Sequence, residues 1–98
     1  MLFRSLVLHP YKTFDEAIAL ANDPAFGLQA GVFTQDLRRA FHAFESIETG
    51  GVLINQVPTF RVEQMPYGGI KQSGFGREGI RYAMEEMTEI RSMILKLN

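Results

Sequence analysis

The sequence predicts an α/β fold, part of a doubly wound sheet, and three observations carry the prediction. Short apolar runs alternate with segments of helical period through residues 1–55. Capping and turn residues fall between those segments. The run Gly51-Val52-Leu53-Ile54-Asn55 is apolar on both faces, as in a parallel strand covered from two sides. The expected order is βαβαβ over 1–55 with right-handed crossovers, a long Gly-rich loop over 56–76, then one helix and a terminal strand within 77–98.

Each element has its own reason. Phe3 to Leu8 is a short apolar run stopped by His9-Pro10, which reads as a buried strand. Thr13-Phe14-Asp15-Glu16 fits a capping box, in which Thr13 caps a helix and Glu16 bonds back. Ala17, Ile18 and Ala21 continue that helix until Asn22-Asp23-Pro24 ends it. After a turn at Phe26-Gly27, Leu28 to Phe33 reads as the second strand. Thr34 or Asp36 starts the second helix, whose apolar face holds Leu37, Ala40, Phe41, Phe44 and Ile47, with Phe41 and Phe44 expected in the core. Gly50 stands where a left-handed C-terminal cap belongs, and 51–55 is the third strand. The loop that follows holds Pro58, Pro66 and a concentration of glycines, and loops of that length inside small domains usually serve a function. Arg77 to Glu89 has a helical stripe of Ile80, Ala83, Met84 and Met87. Ile90 to Leu97 alternates as a strand with no evident partner. Two short helices cannot hide both faces and both edges of such a sheet, so the segment expects neighbours.

Composition narrows the function classes. The chain has 98 residues, 46% hydrophobic and 21% charged, with no linker or repeat, so it reads as one segment. A formal net charge of −1 and the lack of a basic block point to neither nucleic acid nor an anionic membrane. No apolar run approaches the roughly 20 residues that span a bilayer. There are no cysteines, which removes disulfides, thiolate metal sites and cysteine nucleophiles together and leaves a cytoplasmic address as the default expectation.

Few residues suggest chemistry. Gly74-Phe75-Gly76-Arg77-Glu78-Gly79 matches the dinucleotide pattern G-x-G-x-x-G by letter. A polar, glycine-rich loop precedes it instead of a buried strand, and no acidic residue follows about 20 positions on, so a tight loop-to-helix turn is the better reading. His9 and His42 lack metal-ligand spacing, and Ser5, Ser46, Ser73 and Ser92 lack the context of a nucleophile elbow. Glu85, Glu86 and Glu89 read as a solvated face. Glu78 is the ionisable residue that stands out, at the first turn of the expected helix beside a loop able to approach a ligand; a purely structural helix-start carboxylate is the competing reading.

Met65-Pro66-Tyr67-Gly68-Gly69-Ile70-Lys71-Gln72-Ser73-Gly74-Phe75-Gly76-Arg77-Glu78-Gly79 resembles the P-[FY]-G-G-x-K-x-S-G-x-G-R-E-G signature near the carboxyl end of the aldehyde dehydrogenase superfamily. Tyr11 to Ile18, Ala21-Asn22, Phe26-Gly27-Leu28, Ala30 to Thr34 and Gly51 to Asn55 are similar to the same enzymes in the same order. Pro58-Thr59-Phe60-Arg61-Val62 is similar to the branch that oxidises small polar aldehydes such as lactaldehyde and semialdehydes.

The resemblance implies a full-length enzyme in which a cysteine thiolate adds to the aldehyde, hydride passes to NAD or NADP, and a glutamate-activated water hydrolyses the thioester. In the family the nucleophile, general base and nearly all cofactor-binding residues lie upstream of the matched region, so no cofactor is expected on this chain, and no activity from it alone. What carries over is Phe60, Arg61 and Tyr67 at a substrate entrance, where Arg61 suits an anionic aldehyde. Glu78 matches a glutamate of a proton-relay path. Pro66, Gly68, Gly69, Lys71, Ser73, Gly74, Gly76 and Arg77 form the structural motif. Ile90 to Leu97 matches a terminal strand that pairs in oligomer assembly, which implies a homo-oligomer or docking onto the rest of an enzyme. A self-associating assembly module without catalytic activity is the alternative.

Overall fold

The structure, a computed structural model, describes residues 6–98. Its elements are α1 (Phe14–Asn22), β1 (Phe26–Gly27), β2 (Gln29–Val32), α2 (Leu37–Ser46), β3 (Gly51–Ile54), β4 (Ile70–Lys71) and α3 (Ile80–Glu86). The α/β class stands. β2 and β3 pair in parallel with Ala30 opposite Val52 and Val32 opposite Ile54, joined by α2 as a βαβ unit.

Both main helices begin as their sequences require. Thr13 Oγ1 accepts from the Glu16 amide at 3.2 Å, while the Glu16 carboxylate accepts from the Lys12 amide at 2.8 Å, so the reciprocal half of the box lands one residue early. Asp36, not Thr34, caps α2, its Oδ1 accepting from the Arg38 and Arg39 amides. Thr34 Oγ1 instead accepts from the Asp36 amide.

Strand periodicity puts Ala30, Val32 and Val52 on one face of the β2–β3 pair. There they pack with Phe14 against Ile18 of α1 and Ala43 and Ile47 of α2. The chain after β3 crosses the other face: an added Cβ on Gly31 would meet the Gln56 carbonyl and the Pro58 ring. One face of the pair is thus packed by helices and the other is crossed by a loop, where a doubly wound sheet carries helices on both.

Several expected elements differ. Residues 6–8 form no strand, and the rest of the run from Phe3 lies outside the described residues. The strand expected over Leu28–Phe33 is cut to Gln29–Val32 because Phe26-Gly27, expected as a turn, leaves it to pair antiparallel with Ile70-Lys71 inside the 56–76 loop. The third strand stops at Ile54, since Asn55 turns to φ 56° and its Oδ1 accepts from the Thr34 amide at 2.8 Å. Phe41 and Phe44 lie 60% and 65% exposed, and the buried positions of α2 are Ala40 and Ala43. Gly50 is no left-handed cap: α2 ends at Ile47 in extended conformation, and Gly50 is glycine because a Cβ there would run into the Gly68 carbonyl. The last helix shrinks from 77–89 to Ile80–Glu86, bounded by Gly79 at φ 113° and by Thr88, whose hydroxyl donates to the Met84 carbonyl at 3.0 Å. Ile90 to Leu97 forms no strand within the chain, because alternation alone supplies no partner for its backbone groups.

Candidate functional site

The motif residues anchor the 66–79 segment to the α/β unit. Ser73 Oγ accepts from the Gly27 amide at 2.9 Å, and the Gln72 amide donates to the Ala25 carbonyl at 2.9 Å. Lys71, at φ 55°, sends its ammonium to the Asn22 carbonyl at 2.8 Å, the Pro24 carbonyl at 3.5 Å and Glu48 Oε2 at 2.8 Å. Arg77 Nη1 donates to the Gly69 carbonyl at 2.9 Å and the Gly76 carbonyl at 2.7 Å, closing the glycine loop on itself. Gly69 is buried, and Gly68 lies so close to the Gly76 carbonyl that a side chain would clash. Pro66 is exposed at the entry to this loop.

Three of the sequence-predicted site residues come together. Tyr67 and Glu78 are joined by reciprocal backbone bonds of 3.0 and 2.5 Å, an isolated antiparallel bridge. Glu78 therefore stands before α3, in extended pairing, and not in the first turn of a helix. Arg61 reaches onto this bridge: its Nη2 lies 2.8 Å from Glu78 Oε2, and its guanidinium carbon sits 4.6 Å from the centre of the Tyr67 ring. The result is a cation held between a carboxylate and an aromatic face. Phe60 is exposed beside it in sequence, and its carbonyl accepts from Gln29 Nε2 at 3.4 Å. A groove of about 210 Å³ opens along Tyr67, Gly68, Phe75, Arg77, Glu78 and Glu86.

The glycine triad does not make a nucleotide cradle. Gly74, Gly76 and Gly79 all have positive φ (106°, 78° and 113°), so the turn needs glycine at each. The Arg77 amide, which a pyrophosphate would need, already donates to Glu86 Oε1 at 3.1 Å, and that carboxylate would repel phosphate. The turn leads into a seven-residue helix whose N-cap, Gly79, offers no side chain. These residues do not fit a dinucleotide. Among the described residues no group of three or more His, Asp or Glu side chains could hold a metal.

The family model described as "Aldehyde dehydrogenase family" matches residues 6–93. The chain belongs to the aldehyde dehydrogenase family. A lactaldehyde dehydrogenase from Methanococcus aeolicus is 54% identical over 81 residues, 83% of this chain and 17% of that protein. Among solved aldehyde dehydrogenases, ALDH21 from Physcomitrella patens, in complex with its product succinate, is 52% identical with a TM-score of 0.79, over 81% of this chain and 16% of that one. The NAD+ complex of an aldehyde dehydrogenase from Bacillus cereus is 34% identical with a TM-score of 0.82, over 92% of this chain and 18% of that one. The chain spans less than a fifth of the length of each of these aldehyde dehydrogenases.

Sequence reasoning missed two site residues. Glu86, read as part of a solvated face, holds the Arg77 amide; its neighbour Glu85 takes the expected exposed role, pairing with Arg81 at 2.8 Å. Asn22, read only as a helix end, accepts from the Glu48 amide at 2.8 Å and donates to the Ser46 carbonyl at 2.7 Å. Neither has a periodic signal, since each partner lies outside the helix that carries the residue.

Proposed function

We propose that the chain is the carboxyl-terminal part of an NAD(P)-dependent aldehyde dehydrogenase, and that Phe60, Arg61 and Tyr67 line the path by which aldehyde enters. One observation carries the reading: the family match runs over nearly the whole chain while the chain spans about a fifth or less of its relatives. The order of motifs, with the glycine-rich signature followed by a helix, supports placement at the carboxyl end. In the assembled enzyme Glu78 serves as a proton-relay carboxylate, and hydride acceptance belongs to NAD or NADP bound by other parts of the protein. By itself the chain supplies no thiolate, because it holds no cysteine. Incubated with NAD+ or NADP+ and small aldehydes such as lactaldehyde, the purified chain is expected to reduce no cofactor above a heat-killed control; reduction would overturn the reading.

A second reading, a self-associating assembly module, is favoured by surface area. The chain exposes 8897 Å², where a folded monomer of its mass exposes about 5,700 Å². Its terminal segment Ile90 to Leu97 is the proposed pairing strand, taken up by a second copy or by the remainder of an enzyme. A compact, cooperatively folding monomer at micromolar concentration in sedimentation experiments would exclude this module.

A further inference from the structure

Where α1 meets α2, an acid, a base and a hydroxyl form a row of hydrogen bonds. Asp15 Oδ1 lies 2.7 Å from His42 Nε2, and Ser46 Oγ lies 3.3 Å from His42 Nδ1. His42 and Ser46 stand one turn apart on α2 and so share a face, while Asp15 lies 27 residues before His42, in the first turn of α1. No local spacing announces such a set. Its polarity follows from the carboxylate: ionised Asp15 only accepts, so the proton of the neutral imidazole sits on Nε2 and Nδ1 is left to accept. The Ser46 hydroxyl therefore donates to Nδ1. The Phe14 ring, 6.0 Å from the imidazole between centres, limits how far His42 can swing. Asn22 Nδ2 donates to the Ser46 carbonyl at 2.7 Å and fixes the end of α2 beneath the hydroxyl. A hydroxyl on a base, with the base held by a third group, is the arrangement that makes a serine nucleophilic.

The surroundings of Ser46 set the class of reagent. The amides that follow it are engaged, Ile47 with the Ala43 carbonyl at 2.9 Å and Glu48 with Asn22 Oδ1 at 2.8 Å. Neither is free to hold an oxyanion, and the loss of one such donor costs about 10²–10³ in rate. Ser46 also stands at the C-terminal end of α2, where the helix dipole disfavours negative charge. Only a donor with a good leaving group can react there. We propose that Ser46 is an acyl-acceptor site for activated esters, with His42 as general base and Asp15 as the residue that positions it. Ser46 Oγ bonds to the carbonyl carbon, the acyl C–O bond of an aryl ester breaks, and phenolate leaves. The Ser46 proton passes to His42 Nδ1 and from there to water. The acyl group stays on Ser46, because the want of an oxyanion donor slows its hydrolysis as well.

The probe is para-nitrophenyl acetate on the full chain, with acetylated residues mapped by peptide mass spectrometry. Ser46 is expected to be acetylated at least about tenfold faster than the exposed Ser92, with a matching release of nitrophenolate and then a halt. His42→Gln is expected to slow acetylation of Ser46 at least about tenfold. The Asp15 side chain is 82% exposed, so its hold on His42 is worth only about two- to fivefold; Asp15→Asn should slow the reaction by that factor and Asp15→Glu recover most of it. Acetylation of Ser46 no faster than of Ser92 would overturn the proposal, and this comparison within the wild-type chain needs no variant to fold. So would acetyl carried by His42 or lysines in place of Ser46, an undiminished rate in His42→Gln, or a rate that does not distinguish Asp15→Asn from Asp15→Glu. The reaction needs no thiolate or cofactor, so its outcome is independent of the cofactor-reduction expectation.

Discussion

Lys71 shows what one side chain does for the placement of the cluster. Its ammonium gathers the carbonyls that end α1 and the carboxylate of Glu48, which precedes β3, while its backbone pairs in β4. Its side chain is only 24% exposed, so removing it leaves carbonyl and carboxylate groups short of a partner in a partly dry site. Lys71→Met is expected to lower stability by about 1–2 kcal/mol, less than the full worth of buried charged bonds because Glu48 remains wet. A denaturation midpoint at fixed protein concentration checks the magnitude, and faster hydrogen exchange at the Gln72 amide, bonded to Ala25 beside it, checks the place. An unchanged Gln72 exchange rate would show that Lys71 does not hold the loop. Lys71 could be picked out from the sequence as a motif position, but its role could not, because Asn22 is 49 residues away and no local pattern links the two. Gly50 teaches the same lesson: a helix-end glycine suggested a left-handed cap, and the real reason is the backbone of Gly68 pressed against it.

At the scale of elements, helices were legible and strands much less so. α1 and α2 follow from caps and periods within one stretch of chain, and both begin where Thr13 and Asp36 dictate. Asp36 satisfies two amides at once, so Asp36→Ala is expected to reduce stability by about 1 kcal/mol and to lower helical ellipticity, with Asp36→Asn recovering most of both. Full stability in the alanine variant would mean that packing of Ala40 and Ala43 alone sets the start of α2. α3 has no such cap, and Gly79 at φ 113° before it bars extension toward Arg77, which is why the helical stripe overestimated its length. Strands depend on partners far away in sequence. β1 pairs with β4 across the 56–76 loop, and neither two-residue piece has a signature of its own. The Arg61–Tyr67–Glu78 cluster was legible as residues through the family resemblance, yet the Tyr67–Glu78 bridge that builds it reads in sequence as mere loop.

The whole molecule is more open than a compact chain of its length. Its radius of gyration is 18.6 Å, and it extends 71 Å along its longest axis, where a compact chain of this length has a radius of about 13 Å. The buried hydrophobic side chains among the described residues are Ile18, Ala40, Ala43 and Ile47, while Phe41, Phe44, Ile90, Ile94 and Leu97 are in water. A further groove of about 630 Å³ between α3 and Glu63-Gln64 exposes Ile80 and Met84. Apolar surface of this extent favours association, and association stabilises by mass action, so the melting temperature of the chain is expected to rise with its concentration. Deleting residues 90–98 separates the two sources of that surface. The deletion touches neither the Ile18–Ala43–Ile47 cluster nor the Lys71 anchor, so the dilute chain should melt as before. If the terminal segment is the pairing strand, the deleted chain loses most of its concentration dependence and sediments as a monomer. If the deleted chain associates as strongly as the full one, the face of α2 with Phe41 and Phe44 drives assembly, and the alternation of Met93, Leu95 and Leu97 is no strand signal at all.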